Sequence, residues 1–410
     1  MAYENCPISL APARALAIAP DLSYGELNRH IQQEAASLQK QGFKPGDILT
    51  IQANPHWQTI ALLFAAWRLG VCAALIAPKL PLLAQKAAFS DSFAKSDLML
   101  LTSGSSGAPK WASFSLSQLF ESARTVAKAL NAKKGNRWLV SIPLHHVGGL
   151  GVSLRGLLSE GSLSFENKSL SYKERICSVY PDFVSLVPTQ LYRLLREEMA
   201  PLKTHFLIGG APLANELYQK ALSKGYRLSL AYGLTEMSST VLLSDSPQWI
   251  GSFAYLGQPL PDRKLSLSQE GELLVSGASL FNGYGSPPTP PLSPFPTGDL
   301  GAFHPDLGWS IQGRKDFQFM SGAENIRPEE IEAAILSHPD VEEAVVVPKP
   351  DVEFGARPAV FLRTRLSEQE LIAYLSDRLP KCKIPVLFRK LDEGSSLKPS
   401  RKILAESLRL

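Results

Sequence analysis

Immediately after the apolar run 97–101 comes Thr102-Ser103-Gly104-Ser105-Ser106-Gly107-Ala108-Pro109-Lys110. Glycines let a loop turn tightly and bring backbone N–H groups close to an anion. The hydroxyls of Thr102, Ser103, Ser105 and Ser106 add donors, and Lys110 adds a charge. That is the equipment a polyphosphate needs. It is not the loop of kinases and GTPases, which ends in Gly-Lys-Ser/Thr and opens a helix; here Pro109 precedes the lysine and 111–114 reads as a strand. Other groups with chemistry lie far away in the chain. Glu236, after the turn Tyr232-Gly233-Leu234-Thr235, offers a hard oxygen suited to Mg²⁺. Asp299 ends a Thr297-Gly298-Asp299 turn, and Lys402 sits in a basic stretch with Lys381, Lys383, Arg389, Lys390, Lys398 and Arg401. That stretch is either a solvated face or a phosphate-contacting surface. His145 and His146 are adjacent, point different ways and have no companion ligands, which argues against a metal centre built on them.

These groups need a scaffold that brings distant segments together. The chain has 410 residues, enough for a large domain and at least one smaller one. Hydrophobic residues at 45% and charged residues at 20% fit a globular protein and exclude a disordered one. A net charge of +4 is too small for a surface that binds nucleic acid as a whole. Cys6, Cys72, Cys177 and Cys382 form no C-x-x-C pair, which points to a reducing cytoplasm. The N-terminus lacks the basic start and apolar run of a signal peptide. The apolar stretch 59–77 is broken by Arg68 and Gly70, so a buried helix–turn–strand is expected there and no membrane span.

Over the first three hundred residues, strand-like runs at 97–101, 138–142, 183–187, 205–208 and 227–231 alternate with helical patterns. Such alternation predicts an α/β class with helices covering mostly parallel sheets. From about 241 to 312 short strands and turns predict a small β-subdomain, with a proline-rich loop at 285–296. A new unit follows Gly313-Arg314-Lys315-Asp316. Pro328 suits the first turn of a helix whose early acids, Glu329, Glu330 and Glu332, complement the dipole. Strands at 344–347 and 359–363 and a helix from about 368 to 379 complete an α+β domain. The expected division is 1–314 and 315–410.

The Ser/Gly loop resembles the signature of the acyl-adenylate-forming superfamily: acyl-CoA synthetases, peptide-synthetase adenylation domains and luciferases. Pro143-Leu144-His145-His146-Val147-Gly148-Gly149-Leu150 looks like its acyl-site motif and Gly209-Gly210-Ala211-Pro212 like its adenine-site turn. Tyr232-Gly233-Leu234-Thr235-Glu236, Thr297-Gly298-Asp299, Gly313-Arg314-Lys315-Asp316 and Ser321-Gly322-Ala323-Glu324-Asn325-Ile326 follow in the superfamily's order. The resemblance implies ATP, Mg²⁺ and coenzyme A as cosubstrates and a small carboxylic acid as partner. It implies that Thr102 to Gly107 and Lys110 hold phosphates, that Thr235 bonds the α-phosphate, and that Glu236 holds Mg²⁺. Tyr232 either covers the adenine or is a packed core tyrosine. Asp299 accepts from the ribose hydroxyls, helped by Arg314. Asp316 is the implied hinge of a mobile C-terminal domain, and Ser321-Gly322 line the thiol channel. Lys402 bridges carboxylate and α-phosphate. His146 either gates the acyl pocket or is a buried, hydrogen-bonded histidine.

Within the superfamily, Val187-Pro188-Thr189-Gln190-Leu191, YGLTEMSST from Tyr232 to Thr240 and Phe354-Gly355-Ala356-Arg357-Pro358 look like the o-succinylbenzoate–CoA ligases of menaquinone biosynthesis. An aromatic dicarboxylate needs a cation or hydroxyls for its spectator carboxylate, and Thr189, Gln190 and Arg193 lie in the right motif, Arg193 being equally readable as helix surface. Another aryl- or fatty-acid–CoA ligase, or a catalytically impaired nucleotide-binding homologue, are the rival readings. The last is prompted by Arg401, which stands in Pro399-Ser400-Arg401-Lys402 where the superfamily usually has glycine, and by a chain shorter than usual before Leu98. No carrier-protein serine motif follows, which favours free coenzyme A. Oligomeric state is not legible.

Overall fold

The computed structural model describes residues 17–19, 22–78, 96–102, 110–166, 169–197, 203–285, 289–391 and 400–408. The phosphate-loop residues Ser103, Gly104, Ser105, Ser106 and Gly107 lie outside the described residues. The chain has a two-domain α/β fold. In one sheet the strands run Gly283–Tyr284, Lys110–Phe114, Leu98–Thr102, Cys72–Ile76, Ile48–Gln52; the last three are parallel and the other pairings antiparallel. A second sheet runs Ser239–Ser244, Arg227–Leu234, His205–Gly209, Phe183–Leu186, Arg137–Val140, Ser162–Phe165, parallel except for its first member.

The parallel strands are buried on both faces, as Cys72–Ile76 shows with every residue inside, so they read as continuous apolar runs. Helices cover them through apolar faces at helical spacing. Leu116–Ala129 buries Leu116, Leu119, Phe120, Ala123 and Val126, and a capping box between Ser115 and Gln118 starts it. Asp97 fixes the base of the strand that leads to the Ser/Gly loop. Its carboxylate accepts from Leu116 N at 2.7 Å, and its carbonyl accepts from Trp67 Nε1 at 2.8 Å. The 59–77 stretch is the expected buried helix and strand, Trp57–Arg68 and Cys72–Ile76. No described helix is long and apolar enough to cross a membrane.

A third, antiparallel sheet runs Gln248–Ile250, Phe253–Tyr255, Gly308–Arg314, Phe295–His304, Glu272–Gly277, Arg263–Leu267. Beyond it a hairpin, Phe319–Ser321 with Glu324–Ile326, leads to helix Pro328–Leu336 and a sheet of Val341–Asp351, Gly355–Thr364 and Leu387–Lys390. This unit has its own core, centred on Ile326, Ile331, Ile335, Val346 and Val360. Two expectations shift at their edges: helix Glu368–Ser376 stops short of 379, and the strand begun at Arg227 continues through Tyr232 to Leu234.

The second sheet also buries a histidine. His205 is 2% exposed and shares a 2.6 Å hydrogen bond between its Nε2 and Ser229 Oγ. Burial, with Arg227 nearby, pushes its imidazole from 6.5 down to about 4. Below 6.5 the unfolded chain therefore takes up a proton that the folded one refuses, so stability present at neutral pH is lost as pH falls towards about 4. The wild type should lose about 3 kcal/mol through this window beyond what a His205→Gln variant loses, measured by urea unfolding at stepped pH. Parallel pH profiles for the two proteins would contradict this.

Candidate active site

Strand Arg227–Leu234 and strands Phe295–His304 and Gly308–Arg314 bring three of the expected residues together. Tyr232 donates its hydroxyl to Asp299 Oδ2 at 2.6 Å, and Arg314 Nη1 donates to Asp299 Oδ1 at 3.1 Å. The same guanidinium donates to Thr297 O at 3.0 Å and, through Nε and Nη2, to both carboxylate oxygens of Asp316 at 3.0 and 3.2 Å. Gly298 is needed here: its φ is +75°, and a Cβ would stand 2.7 Å from Arg314 Nη2. Burial and the neighbouring Asp299 carboxylate push the Tyr232 phenol well up, while the two aspartates hold Arg314 firmly charged against its burial. A charged, oriented carboxylate next to a phenol suits a vicinal diol, which donates to it.

A second cluster forms around Glu236, in the short 3₁₀ turn Thr235–Met237. Tyr284 donates its hydroxyl to Glu236 Oε1, and Lys110 Nζ lies 5.5 Å from the centroid of the Tyr284 ring. Tyr284 was not legible as a site residue, because only its pairing opposite Ala112, on the exit strand of the Ser/Gly loop, carries it there. Gly233 permits the close return of the chain, since a Cβ on it would lie 2.1 Å from Ser239 O. A single carboxylate fits Mg²⁺, which is usually held by one or two carboxylates together with substrate phosphates. No group of three or more candidate ligands occurs among the described residues, so a cage made by protein alone is not what this site offers.

The remaining expected residues lie on other elements. His205–Gly209 ends in the exposed turn Gly210-Ala211-Pro212, with Gly210 at φ +82°. His146 precedes helix Val147–Leu158 and is exposed, so of its two readings the buried histidine does not hold; its ring lies 4.4 Å from that of His145. Gly149 lets that helix cross its own entry, a Cβ there meeting Ile142 O and Pro143 O at 2.3 Å. Thr189 is half-buried. Gln190 is 5% exposed, and its Oε1 accepts from Val187 N at 2.9 Å, so this amide oxygen starts helix Pro188–Arg196. Arg193 is engaged elsewhere than at an acyl ligand: Nη2 meets Glu342 Oε1 of the C-terminal unit at 2.6 Å. Tyr192 joins it by donating to Pro339 O at 3.2 Å, and a cleft of about 360 Å³ lies at this junction.

In the C-terminal unit Ser321 is buried, and Gly322, at φ +60°, donates its N–H to Phe354 O at 2.8 Å. Arg401 is not a loose intrusion beside Lys402. Its Nη1 and Nη2 donate to the two carboxylate oxygens of Glu332 at 2.5 and 2.6 Å, and Nη1 also donates to Val346 O at 2.6 Å. Its guanidinium lies 4.8 Å from the Phe317 ring centroid, just past Asp316. This is a fork-to-fork pair in a nearly dry setting. The acids expected to complement the helix dipole therefore divide. Glu330 pairs with Lys383 at 2.6 Å, whereas Glu332 is buried under Arg401, and Glu329 accepts from Arg314 N at 3.2 Å across the junction. Lys402 is exposed on helix Arg401–Glu406 and has no ion pair among the described residues.

Comparison with known proteins fits this geometry. The family model for AMP-binding enzymes matches residues 12–98 and 95–285, and the model for the AMP-binding enzyme C-terminal domain matches 330–397. A 2-succinylbenzoate–CoA ligase of Haemophilus influenzae is 31% identical over 435 aligned positions, covering 94% of this chain and 93% of that one. Its Escherichia coli counterpart is 32% identical over 326, covering 75% and 68%. Among solved structures, an arginine-to-lysine variant of E. coli MenE with bound OSB-AMS superposes with a TM-score of 0.83 at 27% identity, covering 96% and 95%.

Removing Arg401 tests the clamp. Arg401→Ala leaves Glu332 buried without its partner, which should cost about 3–5 kcal/mol locally. Hydrogen exchange in 400–408 should accelerate accordingly, with Arg401→Lys intermediate because it keeps the charge and loses the fork. Unchanged protection in the alanine variant would show that the pair does not anchor the helix.

Proposed function

Because the chain belongs to the AMP-binding enzyme family, we propose that it is an AMP-forming acid–CoA ligase that converts o-succinylbenzoate to o-succinylbenzoyl-CoA, a step of menaquinone biosynthesis. The acid's carboxylate attacks the α-phosphorus of ATP, giving the acyl-adenylate and pyrophosphate. The thiol of coenzyme A then attacks the acyl carbon, the thioester forms, and AMP leaves. The observation that carries this reading is the joining of Tyr232, Asp299 and Arg314 at one point, in a family whose similar members are 2-succinylbenzoate–CoA ligases.

Bringing two anions together makes electrostatic preorganisation the main demand on the site. Asp299 accepts from the ribose diol, with Arg314 fixing its orientation. The Ser/Gly loop from Thr102 to Gly107 and Lys110 receive the phosphates, Thr235 bonds the α-phosphate, and the turn from Gly209 to Pro212 with Tyr232 and Gly233 receives the adenine. Mg²⁺, where Glu236 would hold it, supplies neutralisation of phosphate charge. His146 stands at the entrance of the acyl pocket, with Thr189, Gln190 and Arg193 beyond it. Residues 315–410 swing about Asp316 to bring the exposed Lys402 between carboxylate and α-phosphate. The opposite swing turns Ser321 and Gly322 to the pantetheine arm. Arg193 is then released from Glu342. The free thiols of Cys72, Cys177 and Cys382 support a cytoplasmic location.

AMP release dependent on coenzyme A and ATP, measured over a panel of acids, should show turnover with o-succinylbenzoate. Turnover of benzoates or fatty acids with o-succinylbenzoate inert would transfer the protein to another ligase specificity. In the same assay Lys402→Ala should lower adenylate formation, read as pyrophosphate exchange into ATP, by about two decades. Near-normal exchange would remove Lys402 from the first step.

A further inference from the structure

No step above uses the segment from Ser279 to Gly285, yet it touches two parts of the candidate site. On one side it joins the strand that leaves the Ser/Gly loop. Asn282 N donates to Ser113 O at 2.8 Å and Gly285 N to Trp111 O at 2.9 Å, which sets Tyr284 opposite Ala112. Gln118 holds the same segment from the helix that follows, donating Nε2 to Leu280 O at 2.5 Å and to Asn282 Oδ1 at 2.9 Å. On the other side the segment grips the turn that carries Glu236. Phe281 N donates to Glu236 O at 2.8 Å, Ser238 Oγ donates to Ser279 O at 2.9 Å, and the Tyr284 hydroxyl donates to Glu236 Oε1. Backbone and side chain of this acid are thus both fixed from one segment. The turn requires such support, because Ser238 and Ser239 have φ of +53° and +115°, conformations that residues other than glycine rarely adopt.

Tyr284 is itself held firmly. Its ring centroid lies 4.8 Å from that of Phe281 and 6.5 Å from that of Phe295, and its carbonyl accepts from Thr289 N at 2.9 Å. Gly283 before it, at φ +127°, has no room for a side chain, since a Cβ would lie 1.7 Å from Thr289 O. A phenylalanine would pack as well between these rings, so packing does not account for the hydroxyl. Burial and the Glu236 carboxylate push the phenol up, so at any working pH it keeps its proton and donates it. Among the described residues this is the one hydrogen bond on the Glu236 carboxylate; it engages Oε1 and leaves Oε2 to a ligand.

We propose that Tyr284 is a positioning residue for the divalent cation that accompanies ATP: its hydroxyl fixes one oxygen of Glu236 so that the other is presented to the metal. The inference rests on the reading of Glu236 as the Mg²⁺ carboxylate. A glutamate side chain is otherwise free to turn, and holding it in advance spares the metal the entropy of ordering it. The same ring has Lys110 Nζ at 5.5 Å from its centroid, a contact that depends on the ring face and not on the hydroxyl.

The test compares ATP binding by the full-length protein in Mg²⁺ and in EDTA, measured by isothermal titration. Tyr284→Phe keeps the ring, its packing and its contact with Lys110, and removes the hydroxyl alone. The wild type should bind ATP more tightly in Mg²⁺, and in the phenylalanine variant this advantage should shrink by about tenfold, with affinity in EDTA unchanged. The Mg²⁺ concentration needed for half-maximal pyrophosphate exchange should rise with it. An advantage equal to that of the wild type overturns the proposal. So does a larger one, which would mean that the hydroxyl occupies the metal's place, and so does a wild type with no Mg²⁺ advantage at all. Glu236→Gln tells this failure from failure of the reading beneath it. If the glutamine variant loses the advantage and the phenylalanine variant keeps it, the role of Tyr284 alone is refuted. If the glutamine variant keeps it, Glu236 does not hold the metal and the proposal goes with it.

Discussion

The guanidinium of Arg314 is shared between Asp299 on one side and Asp316 on the other, and the backbone N–H of the same residue is held by Glu329. This one residue thereby connects the carboxylate proposed to receive the ribose, the point where the chain passes into its second unit, and the first helix of that unit. Charge of alternating sign continues from there: Asp316 and Glu329 act on Arg401, which sits on Glu332. Because part of the series is shielded from water, its members are coupled more strongly than surface pairs. A change at Asp299 can therefore be felt by the helix that carries Lys402 without a long mechanical linkage.

Much of the fold was readable because its signals are local. Parallel strands buried on both faces appear as short apolar runs, and the covering helices appear as the helical patterns between them. The order of motifs along the chain was readable for the same reason: each is a turn whose glycines answer to backbone geometry within a few residues. Gly298 and Gly233 show the limit of this. The need for a glycine was visible, but the atoms that would collide, Arg314 Nη2 and Ser239 O, come from neighbouring strands.

What could not be read was set by tertiary pairing. Tyr284 enters the site through a two-residue antiparallel contact with the strand after the Ser/Gly loop, and nothing near it in sequence foretells this. Glu332 looked like a dipole-complementing acid because its partner lies 69 positions away. Arg193 faced the same ambiguity: its motif suggests a ligand, while the arrangement of units described here gives it Glu342. In each case the side chain's type was informative and its partner was not.

The pairing of Arg401 with Glu332 also bears on how such enzymes can be recombined. Here the tail and the helix beginning at Pro328 form a lock and key, so a graft that replaces residues 400–408 alone would strand an acid in the interior. Exchange at the junction before Lys315 keeps both halves together, and a library built from this chain should place its crossover there.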